Sequence, residues 1–191
     1  YNSADFTIQL PLGTKMNHFK NKIKTGLVSR KITRSRHDIR KQFGIKNSDF
    51  LVLFALGNSK TRLNFQSNSN VKIFSMNTKI NPKLNPINVS NWIESQDLIS
   101  ASDLVFCKCG YGVISECLAS GTPFYYIYSK NHFEQKGMSQ YLTKKGIKTK
   151  ISLDKINQFN FSPSFISSVS RNPKESIDTC NVIKFINEII N

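Results

Sequence analysis

Three uninterrupted apolar runs of strand length constrain the fold of this chain more than any other feature of its sequence. The runs are LVLFAL at residues 51–56, LVFC at 104–107 and FYYIY at 124–128. Polar and apolar residues do not alternate in them, as they would in a strand with one face in water, so both faces must be covered. Strands of this kind are typical of a parallel sheet between layers of helices. The runs therefore predict an α/β fold.

Helix-like segments separate the strand-like segments along the chain. The predicted strands are residues 51–56, 71–76, 88–90, 104–109, 124–128 and 148–151, and the predicted helices are 35–43, 113–119, 133–144 and 174–190. This order predicts a Rossmann-like open parallel sheet with helices on both faces. The connection at 57–71 is short and polar, so we expect the first helix to be stunted or replaced by a loop. The buried stripe of the last helix is predicted to be Ile177, Cys180, Ile183, Ile186 and Ile190.

Chain length and cysteine usage bound the rest of the architecture. With 191 residues and 39% hydrophobic content, the chain can bury one core. It starts at Tyr1 without a methionine, so we expect a fragment or a processed product. The four cysteines form no C-x-x-C pair and no zinc pattern, which predicts a reducing, cytoplasmic location and no metal site. No apolar run approaches the roughly 20 residues that span a bilayer.

Positive charge is concentrated at the start of the chain. The formal net charge is +15, and residues 1–46 contain 11 Lys and Arg but only two acids, Asp5 and Asp38. The basic residues are Lys15, Lys20, Lys22, Lys24, Arg30, Lys31, Arg34, Arg36, Arg40, Lys41 and Lys46. Such a region can attract nucleotide phosphates, nucleic acid or an anionic membrane surface. Alternatively, the charge reflects a composition rich in Lys, Asn and Ile throughout and has no function.

A glycine turn between a strand and a helix is the motif that carries chemistry. The predicted strand at 104–109 is followed by Gly110-Tyr111-Gly112, and a helix opens directly behind the turn. Glycines let a ligand approach the backbone, and unpaired N–H groups at a helix N-terminus suit a phosphate. Glu116 lies about one turn into the helix, where its carboxylate can accept both hydroxyl hydrogens of a ribose. The alternative for Glu116 is a solvated acid that interacts favourably with the helix dipole.

The spacing around this turn resembles the donor-binding signature of nucleotide-sugar-dependent GT-B glycosyltransferases. The run KCGYG at 108–112 is followed by Glu116, by Gly121-x-Pro123 and by Glu134-Gln135. Plant members of this superfamily read His-Cys-Gly-Trp-Asn-x-x-x-Glu, then Gly-Val-Pro, then Asp-Gln. This sequence departs from them at Lys108, Tyr111, Gly112 and Glu134. Ser115-Glu116 is similar to the Ser-Glu pattern of family 28 enzymes that glycosylate a lipid-linked peptidoglycan precursor, and a related segment occurs in the glycosyltransferase-like half of plant arabinose kinases.

The resemblance implies a set of residues that bind a nucleotide sugar. They are Gly57, Asn58, Ser59, Trp92, Lys108, Gly110, Tyr111, Gly112, Ser115, Glu116, Glu134 and Gln135. In this interpretation Glu116 holds the ribose, the two glycine turns and Lys108 hold the diphosphate, and Glu134 and Gln135 bind the sugar hydroxyls. Trp92 stacks on the base. The competing interpretations are a solvent-facing Lys108, helix capping by residues 134–135, and a Trp92 that belongs to the core.

The resemblance also implies an organisation in two halves. Residues 1–28 are then the tail, last strand and linker of a mostly missing N-terminal domain, and residues 29–191 form the Rossmann-like donor domain, the C-terminal half of a GT-B fold. In such enzymes the N-terminal domain supplies the general base and most of the acceptor site. We therefore assign no catalytic residue and expect the isolated chain to be inactive, with acceptor binding left to the missing domain or a separate subunit.

The predicted ligand is a nucleotide-sugar donor, with a UDP-sugar favoured and no metal or other cofactor expected. The first alternative is a non-catalytic or regulatory module that binds a nucleotide sugar and pairs with another domain or subunit. A second alternative is a nucleic-acid-binding domain, which carboxylates in the cleft disfavour because they would repel a phosphate backbone. Peripheral membrane association through the basic N-terminal region is a further expectation.

Overall fold

Five parallel strands form the central sheet of the molecule. The computed structural model describes residues 5–13, 17–57 and 61–190. The sheet contains β3 (Phe50–Ala55), β4 (Val71–Ser75), β5 (Ile87–Asn88), β6 (Leu104–Lys108) and β7 (Phe124–Ile127), in the spatial order β5-β4-β3-β6-β7. A separate pair of short parallel strands, β1 (Thr7–Gln9) and β2 (Lys22–Lys24), precedes it. The predicted Rossmann-like open parallel sheet is confirmed.

Seven α-helices in the described part of the chain accompany the strands. They are α1 (Arg36–Gln42), α2 (Ser95–Ala101), α3 (Tyr111–Ser120), α4 (Phe133–Lys144), α5 (Leu153–Asn157), α6 (Pro163–Ser168) and α7 (Thr179–Ile190), and a short 3₁₀ turn spans Pro82–Leu84. Helix α4 has the predicted bounds, and α1 and α3 lie within two residues of theirs. The last helix begins at Thr179, five residues later than predicted. The strand predicted at 148–151 is reduced to one parallel bridge between Lys150 and Tyr126.

The strand order reverses at β3. From β3 the chain builds outward to β4 and β5, and it then returns to place β6 on the other side of β3. Crossovers on the two sides of such a reversal run over opposite faces of the sheet, which leaves a crevice beyond the carboxyl ends of the two central strands. We call the carboxyl ends of β3 and β6 the switch point. Open α/β sheets bind their ligands at this position.

The two faces of the sheet have different covers. Leu51 and Leu53 of β3 pack into a core cluster with residues of α1, α2, α3 and α4, whereas Phe50, Val52 and Phe54 pack into a second cluster on the opposite face. This alternation follows from the period of two along a strand. Helices α5 and α6 cover the second face, so the predicted helices on both faces are present.

Aromatic side chains cover the second face where the first helix of the fold is missing. The described part of the β3–β4 connection, residues 61–70, contains no helix, as the short polar connection predicts. Phe65 from this connection stacks on Phe54 with ring centroids 4.9 Å apart, and Phe106 stacks on the other side of Phe54 at the same distance. Phe161, which follows α5, packs edge-on against Phe65 at 5.4 Å. Large rings therefore supply the apolar contact area that a helix would otherwise supply.

The apolar stripe of α7 is not buried, which corrects the prediction for the last helix. Ile177 is 48% exposed and Ile183 is 53% exposed, and Ile186 and Cys180 are also exposed. The side chain of Ile190 lies outside the described residues. Phe185 of α7 contacts Phe6, just before β1, edge-on with ring centroids 6.4 Å apart. Because helices already cover both sheet faces, the stripe has no sheet to pack against.

Hydropathy of the described helices bears on membrane insertion. Within residues 5–13, 17–57 and 61–190, no helix combines the length and the apolar character needed to cross a bilayer.

Candidate functional site

The N-terminus of α3 lies at the switch point and is open to a ligand. Strand β6 ends at Lys108, and α3 starts at Tyr111 with Gly110 as its N-cap residue. No side chain caps this end, so the first N–H groups of α3 lack the partners that an N-cap side chain would supply. A Cβ atom added to Gly110 or Gly112 would meet no atom within 4 Å. A phosphate therefore has room to approach the backbone here.

The side chain of Lys108 crosses the switch point toward β3. Gly57, just beyond β3, has a φ of +67°, a conformation that favours glycine. A Cβ atom at Gly57 would lie 3.2 Å from Lys108 Nζ. The exposed side chain of Lys108 thus places its ammonium group beside Gly57. Asn58 and Ser59, the other two residues predicted for this turn, lie outside the described residues.

Glu116 is a buried carboxylate with one oxygen in use. Its side chain is 4% exposed, and its Oε1 accepts a hydrogen bond from Arg30 Nε at 2.7 Å. Its Oε2 is buried and has no hydrogen-bond partner among the described residues. Buried acceptors without partners are uncommon, because each loses its bonds to water. The interpretation of Glu116 as a solvated helix acid is therefore wrong.

Arg30 joins Glu116 to two other parts of the molecule. Its guanidinium donates to the backbone oxygen of Ile93 at 3.2 Å and to the hydroxyl of Ser95 at the start of α2, in addition to Glu116. Sequence reasoning placed Arg30 only in the basic N-terminal region. No local pattern could identify it, since it lies 86 residues from Glu116 along the chain.

Tyr111 and Ser115 use their side chains for contacts within the domain. The hydroxyl of Tyr111 accepts a hydrogen bond from the backbone N–H of Val28 at 3.1 Å, and burial raises the pKa of this phenol. The buried hydroxyl of Ser115 donates to the backbone oxygen of Gly112 at 2.9 Å. Both side chains thus fix the start of α3. The O–H hydrogen of Tyr111 and the lone pairs of Ser115 are not used by these two bonds.

A cavity of about 1010 Å³ lies beside Glu116, between residues 28–32, α3 and α7. This volume is at the upper end of the range for small-molecule sites. Its walls are largely apolar and include two exposed isoleucines, Ile177 just before α7 and Ile183 within α7. The lining residues are Val28, Ser29, Arg30, Lys31, Ile32, Ser95, Gln96, Tyr111, Gly112, Val113, Ser115, Glu116, Ala119, Ile177, Thr179, Cys180 and Ile183.

Gln96 is a second buried acceptor on the wall of this cavity. Its side chain is 2% exposed, and its Nε2 donates to the backbone oxygen of Lys31 at 3.2 Å and to the carboxylate of Glu94. Its Oε1 is buried without a hydrogen-bond partner in the described part of the chain. Sequence reasoning missed Gln96, because a lone glutamine at the start of a short helix carries no pattern.

Glu134 and Gln135 lie at the start of α4, beyond β7. The side-chain oxygen of Gln135 accepts from the backbone N–H of Ser129 at 2.9 Å, so it helps to fix the loop before α4. Glu134 is exposed. Burial and the nearby Glu134 carboxylate together raise the pKa of Cys109 to about 11. Since Cys109 directly precedes the glycine turn, Glu134 lies near the switch point.

Trp92 lies apart from the cavity. Its ring packs against Phe43 with centroids 5.5 Å apart, and the guanidinium of Arg34 lies 5.6 Å from its centroid. It does not line the cavity beside Glu116. Stacking of Trp92 on a base therefore remains a prediction.

The structure brings most of the predicted residues to one edge of the sheet. Gly57, Lys108 and the start of α3 meet at the switch point, and Glu116 lies one turn deeper, in the wall of the cavity. No group of three or more His, Cys, Asp or Glu side chains arranged to hold a metal occurs among the described residues. The local chemistry is that of a cationic, hydrogen-bonding edge beside an apolar cavity with two free acceptors.

Comparison with known proteins gives one partial similarity. A stretch of 141 residues is 27% identical to L-arabinokinase from Arabidopsis thaliana. The match covers 71% of this chain but only 14% of the length of that protein. No protein-family model matches the chain.

Proposed function

We propose that this domain binds a nucleotide sugar, with the diphosphate at the switch point and the nucleoside in the cavity beside Glu116. The observation that carries the proposal is the buried, unpartnered Oε2 of Glu116, which lies one turn inside a helix whose N-terminus is uncapped. A ribose hydroxyl supplies the missing donor, and a phosphate linked to that ribose reaches the helix end.

The switch point supplies positive potential for the diphosphate. The unpaired N–H groups at the start of α3 carry the positive end of the helix dipole, and α3 is ten residues long. Lys108 adds a full charge over Gly57. The backbone N–H groups are fixed before the ligand arrives, so little reorganisation of them is needed when charge develops on a departing nucleoside diphosphate.

Arg30 allows the Glu116 carboxylate to bind a ribose although the ligand is itself anionic. A bare carboxylate close to a diphosphate would repel it, whereas the Arg30–Glu116 pair is neutral overall. The ion pair leaves Oε2 as an acceptor. Glu116 can therefore hold a ribose without weakening the diphosphate site.

The similarity to L-arabinokinase, a protein named for a sugar substrate, supports a sugar-related ligand. Within this proposal the ligand is a UDP-sugar, Glu134 and Gln135 contact the sugar, and the domain is the donor half of a glycosyltransferase whose acceptor half lies elsewhere. A regulatory module that binds the same ligand without transfer shares this site.

Nucleotide binding to the chain tests the proposal. We expect UDP and UDP-sugars at millimolar concentration to raise the melting temperature more than GDP, ADP, dTDP or CMP, because a ligand that binds only the folded state stabilises it. Glu116→Gln should weaken UDP binding about 10- to 100-fold, the range for a lost hydrogen bond to a charged group of about 1.5–3 kcal/mol. Isothermal titration calorimetry gives the affinities.

The matched control is Glu188→Gln, the same change at an exposed position of α7 outside the cavity. It should leave the UDP affinity unchanged. Absence of a melting shift with every nucleotide would refute the proposed function. Equal affinities of wild type and Glu116→Gln for UDP would remove the ribose role of Glu116.

A further inference from the structure

The orientation of the Gln96 carboxamide is fixed by its two acceptors. Its NH₂ group faces the backbone oxygen of Lys31 and the carboxylate of Glu94, both of which only accept hydrogen bonds. A flipped amide would place its oxygen against these two oxygens and lose both bonds. Oε1 is therefore an acceptor, and it is buried on the cavity wall without a partner in the described structure.

An acceptor of this kind implies a ligand with a matching donor. Gln96 is 2% exposed, so solvent does not donate a hydrogen bond to its oxygen. A buried carbonyl without a hydrogen bond costs about 1–3 kcal/mol, which a donor on the ligand would remove. Two residues that line the cavity thus each carry an unpartnered acceptor, Glu116 Oε2 and Gln96 Oε1.

The walls around Gln96 suit a flat, apolar ligand group with a polar edge. Val28, Ile32, Val113 and Ile183 line the same cavity and offer methyl-rich surface. Burial of a diphosphate among these four apolar side chains would be unfavourable. A nucleobase has two apolar faces and presents N–H donors only at its edge. Glu116 already provides the acceptor for the ribose.

We propose that Gln96 reads the nucleobase by accepting a hydrogen bond from one of its N–H groups. This inference rests on the proposed function and adds to it a residue that selects the base. Arg30 links the two acceptors: its segment contacts Glu116 on α3 and Ser95, the neighbour of Gln96, on α2. A nucleoside held by Glu116 at its ribose therefore extends its base toward the start of α2.

The test combines a variant with a ligand that lacks the donor. Gln96→Met keeps the size of the side chain and removes its oxygen. Wild type and variant are each titrated with UDP and with N3-methyl-UDP. If another nucleotide of the panel binds more tightly than UDP, that nucleotide and its N-methylated analogue are used instead. We expect Gln96→Met to weaken UDP about tenfold, equivalent to about 1.4 kcal/mol, and to weaken N3-methyl-UDP less than threefold.

The controls separate this inference from the proposed function. Gln158→Met removes an exposed carboxamide on the opposite side of the sheet and should leave both affinities unchanged. Equal losses for UDP and N3-methyl-UDP on Gln96→Met, or no loss for either, would overturn the role of Gln96 while wild type still binds UDP. Absence of nucleotide binding to wild type would instead refute the proposed function itself.

Discussion

Single side chains from distant parts of the chain complete the site around Glu116. Arg30 is half-exposed, yet each of its three nitrogens makes a directed contact, with Glu116, Ile93 and Ser95. The fork geometry of a guanidinium allows this, because its three nitrogens donate in fixed and separate directions. Arg30 therefore acts as a positioning residue for Glu116 and keeps the charge of that carboxylate balanced.

Removal of Arg30 should weaken nucleotide binding through charge. Arg30→Ala leaves the buried Glu116 carboxylate unpaired, so we expect UDP affinity to fall about tenfold at low salt and less at high salt, because salt screens the new repulsion. Calorimetry at two ionic strengths measures this. In the Glu116→Gln background the same change should have little effect, since the two residues act as a pair.

Arg34→Ala is the control, because Arg34 lies in the same segment but contacts Gln42 and Trp92. It should not alter the UDP affinity. An equal effect of Arg30→Ala with and without the Glu116 carboxylate would show that Arg30 acts on the ligand by another route.

Arginines also bind the C-terminal end of α2 to the rest of the fold. The backbone oxygens of Ser100, Ala101 and Ser102 accept from Arg36, Arg40 or Arg171. Arg36 and Arg40 also form ion pairs with Asp103. Positive charge at a helix C-terminus is favourable. Several arginines of the basic N-terminal region are thus structural, and the part of that region free to attract a membrane or nucleic acid is smaller than its charge indicates.

The glycines that end α3 and α4 allow a matched test of helix termination. Gly121 and Gly146 both have a left-handed φ, of +71° and +81°. A Cβ atom at Gly121 would lie 2.5 Å from the backbone oxygen of Asn172, whereas one at Gly146 would meet no atom within 4 Å. The chain at Asn172 therefore packs directly on the end of α3.

Gly121→Ala should destabilise the fold more than Gly146→Ala. Left-handed backbone costs an alanine about 1–2 kcal/mol at either site, and the clash at Gly121 adds about 1–3 kcal/mol. Urea denaturation monitored by circular dichroism gives both free energies of unfolding. If both variants lose the same free energy of unfolding, the chain at Asn172 moves away from the added methyl group without destabilising the fold.

At the scale of the whole molecule, burial of thiols links stability to pH. Cys107, Cys109 and Cys117 are all buried, and burial raises the pKa of each, that of Cys109 to about 11. Thiols of the unfolded chain ionise near pH 8.5. Above that pH the unfolded state releases protons that the folded state retains, so the free energy of unfolding must fall as pH rises.

We expect the free energy of unfolding to fall progressively between about pH 8.5 and 11, with Cys109 contributing about 2–3 kcal/mol of the loss. Cys109→Ala should reduce the slope of the free energy of unfolding against pH, by up to the equivalent of one proton released on unfolding. Urea titrations at several pH values provide the slope. Cys180→Ala, at an exposed thiol, should leave the slope unchanged. A wild-type slope preserved in Cys109→Ala would contradict the assignment.

Local sequence patterns predicted the parallel sheet and the helices α1, α3 and α4, but not α2, α5 or α6. Unbroken apolar runs identify β3, β6 and β7 because strands buried on both faces must be apolar throughout. The glycine turn and Glu116 could be recognised together because their chemistry lies within one strand–turn–helix unit, where spacing along the chain fixes spacing in the molecule.

Packing between distant elements, which no local pattern records, places other residues beside Glu116 and covers some apolar surfaces but not others. Arg30 and Gln96 meet the cavity through contacts between separate elements, and no local period records such contacts. The stripe of α7 shows the same limit: periodicity identified its isoleucines, but both faces of the sheet were already filled. A pattern specifies which side chains favour an apolar partner, whereas the packing of all elements decides whether that partner is present.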